Sequence, residues 1–433
     1  MEGSDLPMTD LPMTDLIADI RAREVWDSRG LPTVEAEVVT ASGAIGRGIA
    51  PSGASTGRRE AIELRDGGGR LGGLGVRAAV RNVAEVLRPL IVGIPVDDQA
   101  AVDAALDGAD ADPQRAAIGG NTTTAVSLAV AHAAGASSRK PLWAQLAGGM
   151  IGRLPRPQIQ ILGGGAHAAH RVAVQDFMAY PVSATTIGQA LGDVAEVYRA
   201  VASVLNRRGE PRGVADEGGH WPEVADTRDA LQVIVDGIEL AGLRPGVDMA
   251  IALDIAATQF LSEGRYRVAG VDHSTAEWIG QLEGLNREFP IATIEDPAGE
   301  DDADGMAIAV ERLGAVVVGD DFLVTDAARV RTAADAGQVG AALIKVNQAG
   351  TVSAAAAAVA AARDAGIGVI VSARSGETED VSVAHLAAGW QADVVKVGSI
   401  TRGERTAKWN ELIRIDEACG GLPLAPPLGT DTR

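Results

Sequence analysis

The chain has 433 residues, long for one compact domain unless that domain is a barrel. Apolar residues make up 46% and aromatics only 3%, so a large core must rest on Ala, Val, Leu and Ile. Thirty-eight Lys and Arg against 58 Asp and Glu leave a net charge of −20, which argues against nucleic-acid and membrane-surface partners. There is no basic signal region, no apolar run near the roughly 18 to 20 residues that cross a bilayer, and one cysteine, Cys419. These features predict a soluble, cytoplasmic protein.

Residues 1–16, with LPMTD twice in tandem, read as a frayed leader that cannot build a core. From Ile17 the pattern is β-like, and 33–39 alternates with Val34, Ala36 and Val38 on one face and Glu35 and Glu37 on the other. Helical spacing follows at Val76, Val80, Val83, Leu87 and Leu90, with Pro89 expected to end the helix. A second helix spans about 124–134. Strands followed by helices predict an α+β domain over 17–147. The Gly/Pro-rich stretch from Gly148 to Pro157 marks the boundary with a second domain over 148–433.

In that second domain, short apolar runs recur and each ends in a charged residue: Asp254, Glu295, Asp320, Lys345, Arg374 and Lys396. From Glu295 onward the steps are 25, 25, 29 and 22 residues, the length of a strand, a helix and two turns. Repeated this often, the unit closes into a β/α barrel with functional side chains at the C-terminal strand ends. The pattern predicts an enzyme.

Asp254, Glu295 and Asp320 would converge at one mouth, where three anions need a cation. Hard oxygen ligands without Cys or paired His favour Mg²⁺ over zinc, although strand-end carboxylates can also cap the helices that follow. Lys345 and Lys396 end neighbouring strands. Near a divalent cation and away from water a lysine loses basicity and can act as a base, while salt bridging is its structural alternative. Asp216-Glu217-Gly218-Gly219 puts an acid on a loop, and 163–167 (GGGAH) can bring backbone and His167 close to an anion. Arg374-Ser375-Gly376 offers a phosphate clamp, and the hydroxyl-rich loop 52–57 can fold over the site as a lid.

Together these segments resemble the enolase family, the phosphopyruvate hydratases, from about Ile17 to Leu428. The carrying motifs are DSRGLPTVE (27–35), APSGASTG (50–57), ELRDG (63–67), DEGG (216–219), ALD (252–254), IEDP (294–297), GDD (319–321), IKVNQAGT (344–351), RSGETED (374–380) and AKWNELIRI (407–415). The resemblance implies an α/β fold, an enolase-type modified β/α (TIM-like) barrel preceded by a smaller α+β lid domain. It also implies two Mg²⁺ per site. Asp254, Glu295 and Asp320 match the ligands of the first ion, and Ser55 matches the lid serine that helps hold the second through its backbone. Lys345 matches the base that removes the α-proton and Glu217 the acid that assists loss of hydroxide. His167, Gln175, Arg374, Ser375 and Lys396 match substrate contacts, as does Asp176, where enolases have glutamate. A small phosphorylated acid as substrate and a homodimer or assembly of dimers are further implications.

Departures fall within the implied site. Enolases have histidine where Ala373 stands and asparagine where Gly163 stands. Ala168-Ala169-His170-Arg171 replaces a short acidic or asparagine-rich run, His220-Trp221 replaces Phe-Ala, and the lid is followed by Arg58-Arg59. Ala373 and Gly163 are expected to enlarge the pocket, and Arg58, Arg59, His170 and Arg171 to add positive charge. Three readings result: a dehydratase acting on 2-phosphoglycerate; the same elimination on a bulkier phosphonylated acid, as in carboxyphosphonoenolpyruvate synthases; or a non-catalytic enolase-like binding protein.

Overall fold

The computed structural model describes residues 14–168, 172–209 and 212–429. The lid domain opens with an antiparallel sheet of β1 (Ile17–Trp26), β2 (Pro32–Thr40) and β3 (Ile45–Ile49) in sequential order. The alternation in β2 sorts as predicted: Val34, Ala36 and Val38 are fully buried, while Glu35 and Glu37 pair with Arg23 and Arg47 on the opposite face. Val34 and Val38 each contribute about 1.5 to 3 kcal/mol on full burial, and the Ala36 methyl less. The covering layer is the helix Gly120–Ser138, seated directly on β3. Gly46 and Gly48 permit that approach, since a Cβ at either would lie 2.1 Å and 2.6 Å from the helix backbone.

The helix carrying Val76 to Leu90 passes through Pro89 and ends at Ile91. Proline offers no N–H to the carbonyl four residues earlier, and a widened π-turn over Val83–Leu87 takes up the misfit. Residues 1–13 of the stretch read as a leader lie outside the described residues. Asp15 accepts hydrogen bonds from Ser42 and Ser137, and Leu16 bridges to Pro95, so residues 15 and 16 are tied to the lid.

A linker over 148–155 leads into the barrel. Its strands are β4 (Arg156–Gly163), β5 (Asp176–Tyr180), β8 (Ala250–Asp254), β12 (Ile291–Glu295), β13 (Val316–Gly319), β14 (Ala341–Ile344), β15 (Gly368–Ser372) and β16 (Val394–Ser399). They pair in that order and β16 closes onto β4, giving eight strands. β5 runs antiparallel to both neighbours, and every other pair around the barrel is parallel. A hairpin of β6 (Arg212–Val214) and β7 (His220–Pro222) is attached beside β4. A small sheet of β9 (Leu261–Ser262), β10 (Arg265–Val268) and β11 (Val271–His273) flanks the barrel.

The lumen is filled by Met178, Tyr180, Ala252, Leu343, Ile370 and Val394 among others, with alanines common enough to explain how so few aromatics suffice. Outward-facing strand residues form a second, larger core with the surrounding helices. No helix among the described residues is long and apolar enough to cross a membrane.

Candidate active site

The apolar runs end at the barrel mouth. Asp254 and Glu295 close β8 and β12, Asp320 and Lys345 sit one residue beyond β13 and β14, and Lys396 lies within β16. Lys396 Nζ donates to Asp254 Oδ2 and Glu295 Oε2, both at 2.7 Å, and stands 3.9 Å from Asp176 Oδ2. Lys345 Nζ donates to Asp320 Oδ2 at 2.5 Å, and Gln348 Nε2 reaches Asp320 Oδ1 at 2.9 Å. Gln175 Nε2 donates to Asp254 Oδ2 at 3.0 Å. All of these side chains are buried, where an unpaired charge costs several kcal/mol.

Two lysines do not balance three carboxylates. Glu295 Oε1 is buried without a hydrogen-bond partner, and burial together with Asp254 pushes the Glu295 carboxyl well above its ordinary value. Burial and Asp320 likewise push Asp321 up to about 7. An orphaned carboxylate oxygen beside two further buried carboxylates, with no sulfur nearby, fits a hard divalent cation held by Asp254, Glu295 and Asp320. The loss of basicity expected of Lys345 depends on a neighbouring divalent cation. In the protein alone, burial is the largest influence and lowers its pKa, but Asp320 and Glu295 together raise it above the ordinary lysine value.

Across the mouth, the turn after β4 and the first residue of β5 bring His167 and Asp176 together. His167 Nδ1 lies 2.8 Å from Asp176 Oδ1, and its Nε2 lies 3.9 Å from Glu217 Oε1. Burial alone would depress the His167 pKa, but Asp176 and Glu217 hold it up at about 9. Asp176, despite its burial, is drawn down to about 2 by His167 and Lys396. Among the described residues, these three offer potential ligand atoms within 4.8 Å of one another, whereas the three predicted metal ligands are interleaved with lysines.

The predicted lid loop lies on the barrel. Ser52 and Gly376 exchange backbone hydrogen bonds at 2.8 Å, and Ala54 N donates to Ser375 Oγ at 2.6 Å. Arg374 donates to the Ser55 carbonyl at 2.8 Å, to Asn347 Oδ1 at 3.2 Å and to Glu60 at 3.3 Å. The backbone of Ser55, which the resemblance matches to the second ion, thus has its carbonyl engaged by a guanidinium.

Three of the expected pocket changes read differently in three dimensions. Gly163 opens no space: a Cβ there would lie 2.4 Å from the Ala215 methyl, which already fills the position. Arg58 pairs with buried Glu300 and with Asp301, and Arg59 pairs with Asp301, so their charge is offset and they pin the lid to the loop after β12. His220 stacks on Tyr198 at 4.0 Å within β7. His170 and Arg171 lie outside the described residues. Ala373 does border space, a cavity of about 40 Å³ shared with Ile49, Leu128, Asn347, Val371 and Asp380 at the seam between lid and barrel.

Sequence reasoning missed Glu60 and Asn347, which orient Arg374, and Gln348, which holds Asp320. It also missed Asp296, whose carboxylate accepts the backbone N–H groups of Asp320 at 2.9 Å and Asp321 at 2.7 Å. Asn347 and Gln348 follow Lys345 within one motif, which was the available signal. Arg405, fully buried, donates to the carbonyls of Arg374 and Ser375 from a helix whose sequence gives no hint of that contact.

Comparison with known families agrees with this architecture. The family model described as Enolase, N-terminal domain, matches residues 17–146, and that described as Enolase, C-terminal TIM barrel domain, matches residues 152–423. With the lid, the eight-stranded barrel and nearly the whole chain matched, this protein belongs to the enolase family.

Proposed function

We propose that this enolase-type lyase eliminates water from 2-phosphoglycerate or a close, bulkier relative to give a phosphoenolpyruvate-type product. The observation that carries the reading is the placement of Lys345 among buried carboxylates, with Glu217 on the His167 side of the same mouth. Asp254, Glu295 and Asp320 would hold one Mg²⁺, and the Ser55 backbone with the substrate phosphate a second. Bound there, the ions supply the positive charge that makes a proton beside a carboxylate removable.

The protein's own groups then divide the work. Arg374 and Ser375 bind the phosphorus end, while His167, Gln175, Asp176 and Lys396 surround the rest of the substrate. Lys345 Nζ, released from Asp320 in its neutral form, takes the C2 proton. The C3 hydroxyl leaves as water with a proton from Glu217, and the C2–C3 double bond forms. The net charge of −20 suits a cytoplasmic enzyme, and a homodimer or assembly of dimers follows the family pattern. Lys345→Ala should stop exchange of the C2 proton with solvent, and Glu217→Gln should slow elimination more than exchange. Parent-level exchange in Lys345→Ala would remove the assignment.

A bulkier phosphonylated acid is the second reading, and it rests on Ala373 standing where enolases have histidine, beside Arg374. The cavity beside Ala373 adjoins Asn347, but its walls include Leu128, Val371 and Leu386 and not Arg374, Ser375 or Lys345.

A further inference from the structure

Gln160 occupies the β4 face that points into the barrel mouth, fully buried and outside every role assigned above. Its Oε1 accepts the backbone N–H of Gly219 at 2.8 Å, and its Nε2 donates to Asp176 Oδ1. The two ends of one amide therefore face a donor on the acid loop and an acceptor on β5, and those partners fix its orientation. The loop comes down directly onto it: a Cβ on Gly219 would lie 2.5 Å from Gln160 Oε1.

The contacts close a ring. Gly219 lies two residues past Glu217 on the acid loop, Gln160 joins it to Asp176, and Asp176 Oδ1 also holds His167 Nδ1 at 2.8 Å. His167 thereby turns Nε2 toward Glu217 Oε1, which it faces at ion-pair distance, 3.9 Å, as the last and longest link. Asp176 Oδ2 has no hydrogen-bond partner and faces Lys396 at ion-pair distance, 3.9 Å, so the hydrogen bonds that orient this carboxylate are those Gln160 and His167 make to Oδ1. Lys345, Asp320 and Gln348, on the base side, take no part in the ring.

We propose that Gln160 is a positioning residue for the acid, setting where Glu217 stands by clamping the acid loop to the Asp176–His167 pair. Removing the amide leaves a buried N–H on Gly219 unpaired and releases Asp176 to rotate. Both changes displace the acid and leave the base in place. The proposal rests on the function above for what Glu217 does, and on geometry alone for how Gln160 holds it.

Two variants test it. Gln160→Asn keeps the amide but is one methylene too short to span both partners, and Gln160→Met keeps the length without the polar ends. Hydrogen exchange followed by mass spectrometry on peptides covering 215–222 reads the clamp without any substrate. Both variants should lose protection there tenfold or more, with β8 and β12 unchanged. With 2-phosphoglycerate and Mg²⁺ in D₂O, both should exchange the C2 proton within about threefold of the parent while elimination falls tenfold or more. Unchanged protection at 215–222, or exchange and elimination falling by the same factor, overturns the proposal. A parent that carries out neither reaction overturns the functional reading instead, and the hydrogen-exchange result then decides the clamp alone.

Discussion

The guanidinium of Arg374 donates to the backbone carbonyl of Ser55 at 2.8 Å, joining barrel to lid between residues 319 positions apart. Glu60 and Asn347 hold the same guanidinium from two further directions, so the lid rests on a group whose orientation is already set.

That contact depends on a missing side chain. A Cβ on Gly53 would lie 2.0 Å from Arg374 Nη2. Gly53→Ala should therefore displace either the lid or the guanidinium, and a shift of about 1 Å in such a clamp can cost on the order of a hundredfold in rate. The expected result is a comparable fall in kcat/KM with Tm within a few degrees of the parent. Unaltered kinetics would show that the loop does not need this approach.

The crowded carboxylates make metal binding a stability measurement. Mg²⁺ should raise Tm, because a ligand that binds only the folded chain stabilises it by mass action. Glu295→Gln removes one of the mutually repelling groups, so it should raise Tm without Mg²⁺ and weaken the Mg²⁺-dependent increase. Differential scanning calorimetry with Mg²⁺ and with chelator tests both halves. Activity should disappear with chelator.

His385 gives a pH dependence of definite sign. Burial and neighbouring His132 depress its pKa to about 4, against the opposing pull of Glu411 and Asp380, and its Nδ1 is buried without a partner. Between pH 6.5 and 4 the unfolded chain binds a proton that the folded chain refuses, so stability falls as pH falls. Thermal melts across that range should show a steeper loss for the parent than for His385→Asn. Equal slopes would mean that the depressed value is wrong.

Ala373→His tests the seam cavity. If the space serves a larger substituent, the histidine should lower kcat/KM for the phosphonoformyl analogue of 2-phosphoglycerate and spare or improve 2-phosphoglycerate itself. A parent that prefers 2-phosphoglycerate by a hundredfold or more, with the variant only improving on it, removes the bulkier-substrate reading.

The barrel was legible because six of its eight strands announce themselves twice, by an apolar run and by a charged residue at or near its end, as at Asp254 and Glu295, whereas β4 and β5 end in Gly163 and Tyr180 and give no such sign. Motifs carried the assignment of Glu217 and Lys345, whose neighbours alone say little. What the chain order hid were contacts between distant segments. Nothing near Gly163 reveals that Ala215 occupies its empty side, and nothing near Arg58 reveals Glu300 waiting across the seam. Pro89 misled for a different reason, since a local rule about proline carries no information on whether the preceding turn can widen.

The reversed direction of β5 bears on the order in which the site assembles. β4 and β5 pair across a single connection, so the corner built from Gln160, His167 and Asp176 needs only local chain closure. β16 meets β4 across more than half the chain, and Lys396 reaches Asp254 and Glu295 only when that distant pairing is made. Nearby contacts are entropically cheaper to form than remote ones. The acid corner can therefore fold as a local unit, while the carboxylates and lysines opposite it take their places only as the barrel closes.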